Sequence, residues 1–148
     1  MSATILDELA VAAKTAIDAA AITSLGNTLK VYSYDLREMD TLPALVISGP
    51  TDFSRVQPDE AESQLGTYDW RLTYESILSV QLDDPEQAST EARSILGQIV
   101  AAIDADETLG GACLSAHLSD GSLEYAENDN GKQLLIYRCS LRIWALVA

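Results

Sequence analysis

The sequence predicts an α+β domain in which a mainly antiparallel sheet with two long strands stacks on two helices, in the order α-β-β-β-α-β-β-β. Three observations predict it. Between Tyr68 and Leu82 the even positions read Tyr68, Trp70, Leu72, Tyr74, Ser76, Leu78, Val80 and Leu82, while the odd ones are polar apart from Ile77. Such period-two alternation marks a half-buried strand. Residues 132–146 repeat the pattern, with Leu135, Tyr137, Cys139, Leu141, Ile143 and Ala145 on the odd face. Between them, residues 85–104 place Ala88, Ala92, Ile95, Leu96, Ile99, Val100 and Ile103 at helical spacing. Strands in compact domains usually run about 5–6 residues. Both alternating segments are therefore long for their domain, and a strand that outruns its domain needs something to cover its end, most simply another subunit.

The remaining elements follow in order. Residues 3–24 read as a helix, with Ser2 or Thr4 as cap and Asp7 and Glu8 at its positive end. Ile5, Leu9, Ala13, Ile17 and Ala20 form its apolar stripe, and Gly26-Asn27 ends it. Leu29–Tyr34 is a short strand and Asp35–Thr41 a polar link. Leu42–Ser48, apolar on both faces, reads as a central strand stopped by Gly49-Pro50. Residues 51–65 read as a long acidic loop, of the kind that is functional or mobile. Asp84-Pro85 opens the second helix with an Asp cap and Pro at the first helical position. After Gly110-Gly111, Ala112–Leu118, a turn at Asp120-Gly121, Ser122–Glu127 and a turn at Asn130-Gly131 read as a meander leading into the last strand. No internal repeat, low-complexity tract or domain boundary interrupts residues 1–148, which read as one domain.

Composition narrows the function. The 148 residues, 47% apolar and 22% charged, suit a single folded domain with a real core. The net charge of −14 opposes a sequence-independent grip on nucleic acid, which needs Lys and Arg against phosphates. It equally opposes attraction to an anionic membrane surface. No apolar run approaches the ~20 residues that span a bilayer, and the N-terminus has no signal-peptide pattern. Cys113 and Cys139, in separate apolar segments, read as buried free thiols of a protein made in a reducing cytoplasm.

Chemistry has few footholds. His117 is the only histidine, so any Ser/His/Asp arrangement would have to use it, and it sits mid-strand without a nucleophile motif beside it. One histidine and two distant cysteines are too few for a zinc site. Asp104, Asp106 and Glu107 have the spacing of a calcium loop, but Leu109 stands where the loop needs Gly and Ser115 where it needs Glu. They read as a solvated helix end. Asp59, Glu60 and Glu62 read as a solvated loop whose oxygens could at most suit a weak divalent-ion site. No glycine loop is placed to cradle phosphate, since no helix opens after Gly49-Pro50. The expectation is a non-enzyme without cofactor or metal. Tyr68, Trp70 and Trp144, large aromatics on the long strands, are the candidates for an oligomer interface.

The order of residues resembles the tail terminator and neck-type minor tail proteins of long-tailed bacteriophages. The resemblance is carried by Leu42-Pro43-Ala44-Leu45-Val46 leading to Gly49-Pro50, the acidic loop, and Gly66 opening a long strand through Trp70. It continues with the Pro85–Asp104 helix ending in Ala105-Asp106-Glu107-Thr108-Leu109-Gly110-Gly111, and with the last strand after Gly131. It implies a small α+β virion subunit that assembles as a ring, typically a hexamer, on the end of the tail tube and joins it to the head. The partners it implies are copies of the same chain, the tube protein and a head-completion or neck protein, with DNA passing through unbound. A strongly acidic ring would repel that DNA, and Asp59, Glu60 and Glu62 are the candidate lumen residues. Another neck or head–tail joining protein would fit the same features. So, from a different class, would a small-ligand-binding or enzymatic domain centred on His117.

Overall fold

The computed structural model describes residues 4–34, 42–56, 68–127 and 131–147. It is an α+β fold. Helix α1 (Ile5–Ala19) is followed by a two-residue antiparallel ladder, β1 (Thr23–Ser24) with β2 (Asn27–Thr28), and by β3 (Lys30–Tyr32). Strands β4 (Ala44–Val56) and β5 (Tyr68–Gln81), helix α2 (Pro85–Ala105), and strands β6 (Ser115–Glu127) and β7 (Gln133–Val147) complete the chain. The main sheet has the order β3-β4-β5-β7-β6. It is antiparallel except where β3 runs parallel to β4.

Helix α1 is shorter than the expected 3–24. The alanine-rich stretch carries no stop signal at its true end. The chain leaves the helix at Ala20, and Ala21 adopts a positive φ of 48° to turn into the small ladder. Its buried stripe is Leu9, Ala10, Ala13 and Ile17, whereas Ala20 is exposed. Helix α2 begins as its sequence dictates. Asp84 is extended, its carboxylate accepts the N–H groups of Glu86 and Gln87, and Pro85 opens the first turn. Ala88, Ala92, Ile95, Ile99 and Ile103 are buried, with Leu96 and Val100 at the margin.

Both helices cover one face of the sheet. The core joins Leu9, Ala13 and Ile17 of α1 and Ile95, Ile99 and Ile103 of α2 to Leu45, Ile47, Leu72, Tyr74, Leu78, Val80, Leu141 and Ile143 of the strands. The even positions of β5 and the odd ones of β7 supply that face, as their alternation requires. Tyr74, fully buried, donates its hydroxyl to the carbonyl of Leu6 at 2.5 Å and so ties the middle of the sheet to the first turn of α1.

Two breaks expected to end strands are bulges within them. Gly49-Pro50 does not stop β4. Ser48 pairs with Glu75 and Asp52 with Thr73, so Gly49, Pro50 and Thr51 bulge opposite a single residue and the strand resumes to Val56. Gly49 has φ of 112°, and a Cβ there would lie 2.5 Å from the Thr51 nitrogen, so only glycine fits. Residues 51–56 are therefore strand rather than loop. Likewise Asp120-Gly121 is a register shift inside β6 and not a hairpin turn, so the two expected segments form one 13-residue strand.

Candidate functional site

Strands β4, β5 and β7 end together in a thinly covered margin of the sheet, here called the overhang: β4 is exposed from Thr51 to Val56, while Ala145 of β7 stays buried and Trp70 and Val147 pack against the core. Arg55 stands opposite Trp70, which stands opposite Ala145; Val56, Asp69 and Leu146 form the next row. On β5 full burial begins only at Leu72, and Tyr68 to Trp70 are half-buried. Phe53 is 60% exposed, Val56 57% and Leu146 51%. Two strands of the overhang, β4 and β7, thus show apolar side chains to solvent.

Each face of the overhang holds an arginine on aromatic rings. Directly opposed residues of an antiparallel pair share a face, so Phe53 and Arg55 lie on the helix side with Tyr68 and Trp70. Phe53 stacks on Trp70 at 6.0 Å between ring centroids. The Arg55 guanidinium lies 3.4 Å from the Tyr68 ring centroid and 5.5 Å from that of Trp70, a cation–π arrangement. The Trp70 Nε1 is buried with no acceptor among the described residues. On the opposite face, Arg71 lies 4.3 Å from the Trp144 ring centroid and is held by Asp69 at 3.2 Å. Trp144 itself is 37% exposed.

That opposite face carries a lattice of ion pairs. Arg138 bridges Glu75 on β5 at 2.6 Å and Glu124 on β6 at 2.7 Å, and both carboxylates hold its guanidinium in the charged form, raising its pKa. Arg142 bonds Asp120 at 3.1 Å and the Ser119 hydroxyl at 2.9 Å. Beside them is a groove of about 370 Å³ whose walls include Asp52, Ser54, Arg71, His117, Arg142 and Trp144. His117 is exposed on β6 there, with no acid or nucleophile hydrogen-bonded to it among the described contacts.

The expected interface aromatics are therefore together at one end of the sheet, but on two faces: Tyr68 and Trp70 on the helix side, Trp144 on the other. Strands β5 and β7 are interior strands, paired on both sides, so their own backbones cannot extend a neighbour's sheet. Among the described residues, the unpaired edges belong to β6 and to β4 beyond Val46, since β3 covers only Ala44 to Val46. Phe53 and Arg55 were missed because Gly49-Pro50 read as a strand end; the alternation resumes at Asp52, Phe53, Ser54 and Arg55. Asp59, Glu60 and Glu62 lie outside the described residues. Asp106 is engaged locally: it closes α2, and its carboxylate accepts the Gly110 N–H at 3.0 Å.

Cys113 and Cys139 are buried free thiols. Burial, with Asp106 nearby, pushes Cys113 up to about 11, and burial raises Cys139 as well, so neither is activated as a nucleophile. Among the described residues no group of three or more His, Cys, Asp and Glu side chains could hold a metal ion. No described helix is long and apolar enough to cross a membrane. A scan against protein-family models matches none, and a search of curated proteins returns no match.

Proposed function

We propose that the chain is a structural virion subunit, a tail terminator that closes as a ring on the end of a phage tail tube and joins it to the head. The observation that carries this reading is the overhang. Three paired strands end in a thinly covered margin with Phe53, Val56 and Leu146 exposed and with arginine–aromatic clusters on both faces. Tryptophan, tyrosine and arginine are the residues from which interface hot spots are built. A domain that met all its needs alone would not leave the end of β4 and these aromatics so thinly covered.

Ring subunits join through unlike surfaces that close by rotation. A hexamer of this acidic chain, touching the tube protein on one side and a head-completion or neck protein on the other, would let DNA pass without holding it. A ligand site centred on His117 is the competing reading. It is disfavoured because Arg71 and Arg142, the cations of that groove, are already engaged by Asp69, Asp120 and Ser119. Gold-labelled antibody against the chain should mark the head–tail junction of virions that carry it. Labelling elsewhere on the particle, or none, would contradict the assignment.

A further inference from the structure

Among the described residues the main sheet has two open edges, on opposite sides. One is the outer edge of β6, paired only with β7; the other is β4 from Thr51 to Val56, beyond the reach of β3. An exposed edge presents unpaired N–H and C=O groups and is a template for another strand. Neither edge is capped by a described strand, and the β4 segment carries Phe53 and Val56 exposed, without proline.

We infer that a second copy of this chain occupies these edges, its β4 segment adding to β6 of the first. Strand direction favours this occupant. β4 is antiparallel to β5, β5 to β7, and β7 to β6, so β4 and β6 run in opposite directions. Copies related by rotation about an axis roughly along the strands therefore bring β6 and β4 together antiparallel, the pairing with straight, closely matched hydrogen bonds. Charge does not oppose it: β6 carries Asp120, Glu124 and Glu127, and the β4 segment, with Asp52 and Arg55, is neutral. The join is head-to-tail because the two edges differ, so an open chain of copies keeps one edge of each kind free until it closes. The inference rests on the ring reading only for closure, not for the pairing.

Cysteine cross-linking tests it on the whole chain. Ser54, Arg71, Trp144 and Ser115 stand in one row across the sheet. Three strand spacings separate the ends, roughly 14 Å, and a disulfide needs Cα atoms within about 7 Å. Cysteines at the two edges therefore cannot bridge within one chain. Ser54→Cys would be combined in turn with Ser115→Cys, Ser119→Cys and Ser122→Cys to sample register, with circular dichroism confirming the fold. Mild oxidation should give a covalent ladder beyond the dimer for at least one pair, and none for the single variants. Absence of any ladder with all three pairs would overturn the inference, as would abundant dimer from Ser54→Cys alone, which would mean that the β4 edge meets its own copy. A closed ring without cross-links overturns edge pairing and leaves the terminator reading standing. A ladder running into open fibres supports edge pairing and contradicts the ring.

Discussion

Tyr74 does two things at once. Its ring fills the core and its hydroxyl satisfies the Leu6 carbonyl. Tyr74→Phe keeps the packing and loses the bond, which should cost about 1 kcal/mol in urea denaturation. Tyr74→Ala should cost several times more by leaving a cavity, on the order of 3–5 kcal/mol. Equal effects would show that the hydroxyl, not the ring, governs. Glu91 is a second informative residue. It is buried on α2, and burial raises its pKa against the opposing hydrogen bond from Asn27. The folded state then holds the proton more tightly than the unfolded chain. The stability this gives is fully present below the ordinary glutamate range and is lost as pH rises through the folded-state value. Glu91→Gln should therefore gain stability at pH 7, within about 1 kcal/mol, and gain nothing at pH 3. A variant less stable than wild type at pH 7 but not at pH 3 would show that the carboxylate is favourably held.

At the scale of elements, two features decide the shape: the cap that starts α2 and the bulge that lets β4 continue. Asp84→Ala removes the acceptor for two helix N–H groups and should cost about 1 kcal/mol. Gly49→Ala places a Cβ against the Thr51 nitrogen at a positive φ. It should cost on the order of 1–3 kcal/mol, and should raise hydrogen exchange in residues 51–56 more than at β5. Uniform exchange across both strands would mean that the bulge does not control the overhang.

Much of this level was legible in the sequence. The alternation of 68–82 identified the strand and its buried face, and Asp84-Pro85 located the helix start within a residue. The two bulges were not legible, because Gly49-Pro50 and Asp120-Gly121 are the same residue types that make turns. Whether such a break ends a strand or kinks it depends on the partner strand, which local pattern does not contain. The candidate surface suffered from the same fault: its three strand aromatics were found, but Phe53 and Arg55 lay behind an assumed strand end.

For the whole molecule, charge is unevenly placed. Helix α1 carries Asp7, Glu8 and Asp18 against Lys14, and α2 carries Glu86, Glu91 and Asp104 against Arg93. The strands instead set Lys30, Arg55, Arg71, Arg138 and Arg142 against Asp52, Asp69, Glu75, Asp120, Glu124 and Glu127, close to balance. The helix layer is thus the more acidic side, and at the overhang Arg55 and Arg71 are matched by Asp52 and Asp69. The chain should show no measurable affinity for duplex DNA at moderate salt, by filter binding or electrophoretic shift; binding with a steep salt slope would remove the conduit role. Trp144→Ala should weaken self-association more than it lowers the thermal midpoint, since an exposed aromatic contributes more to an interface than to the fold. The central claim is that copies of this chain close into a ring of one size. Mass photometry of the purified protein across a dilution series, with class averages of the same sample, tests it directly. The account predicts one dominant assembly mass, a whole multiple of the 15.9 kDa chain that persists on dilution, and averages showing a closed ring with a central opening. A monomer at every concentration, or a continuum of masses without closure, would contradict it.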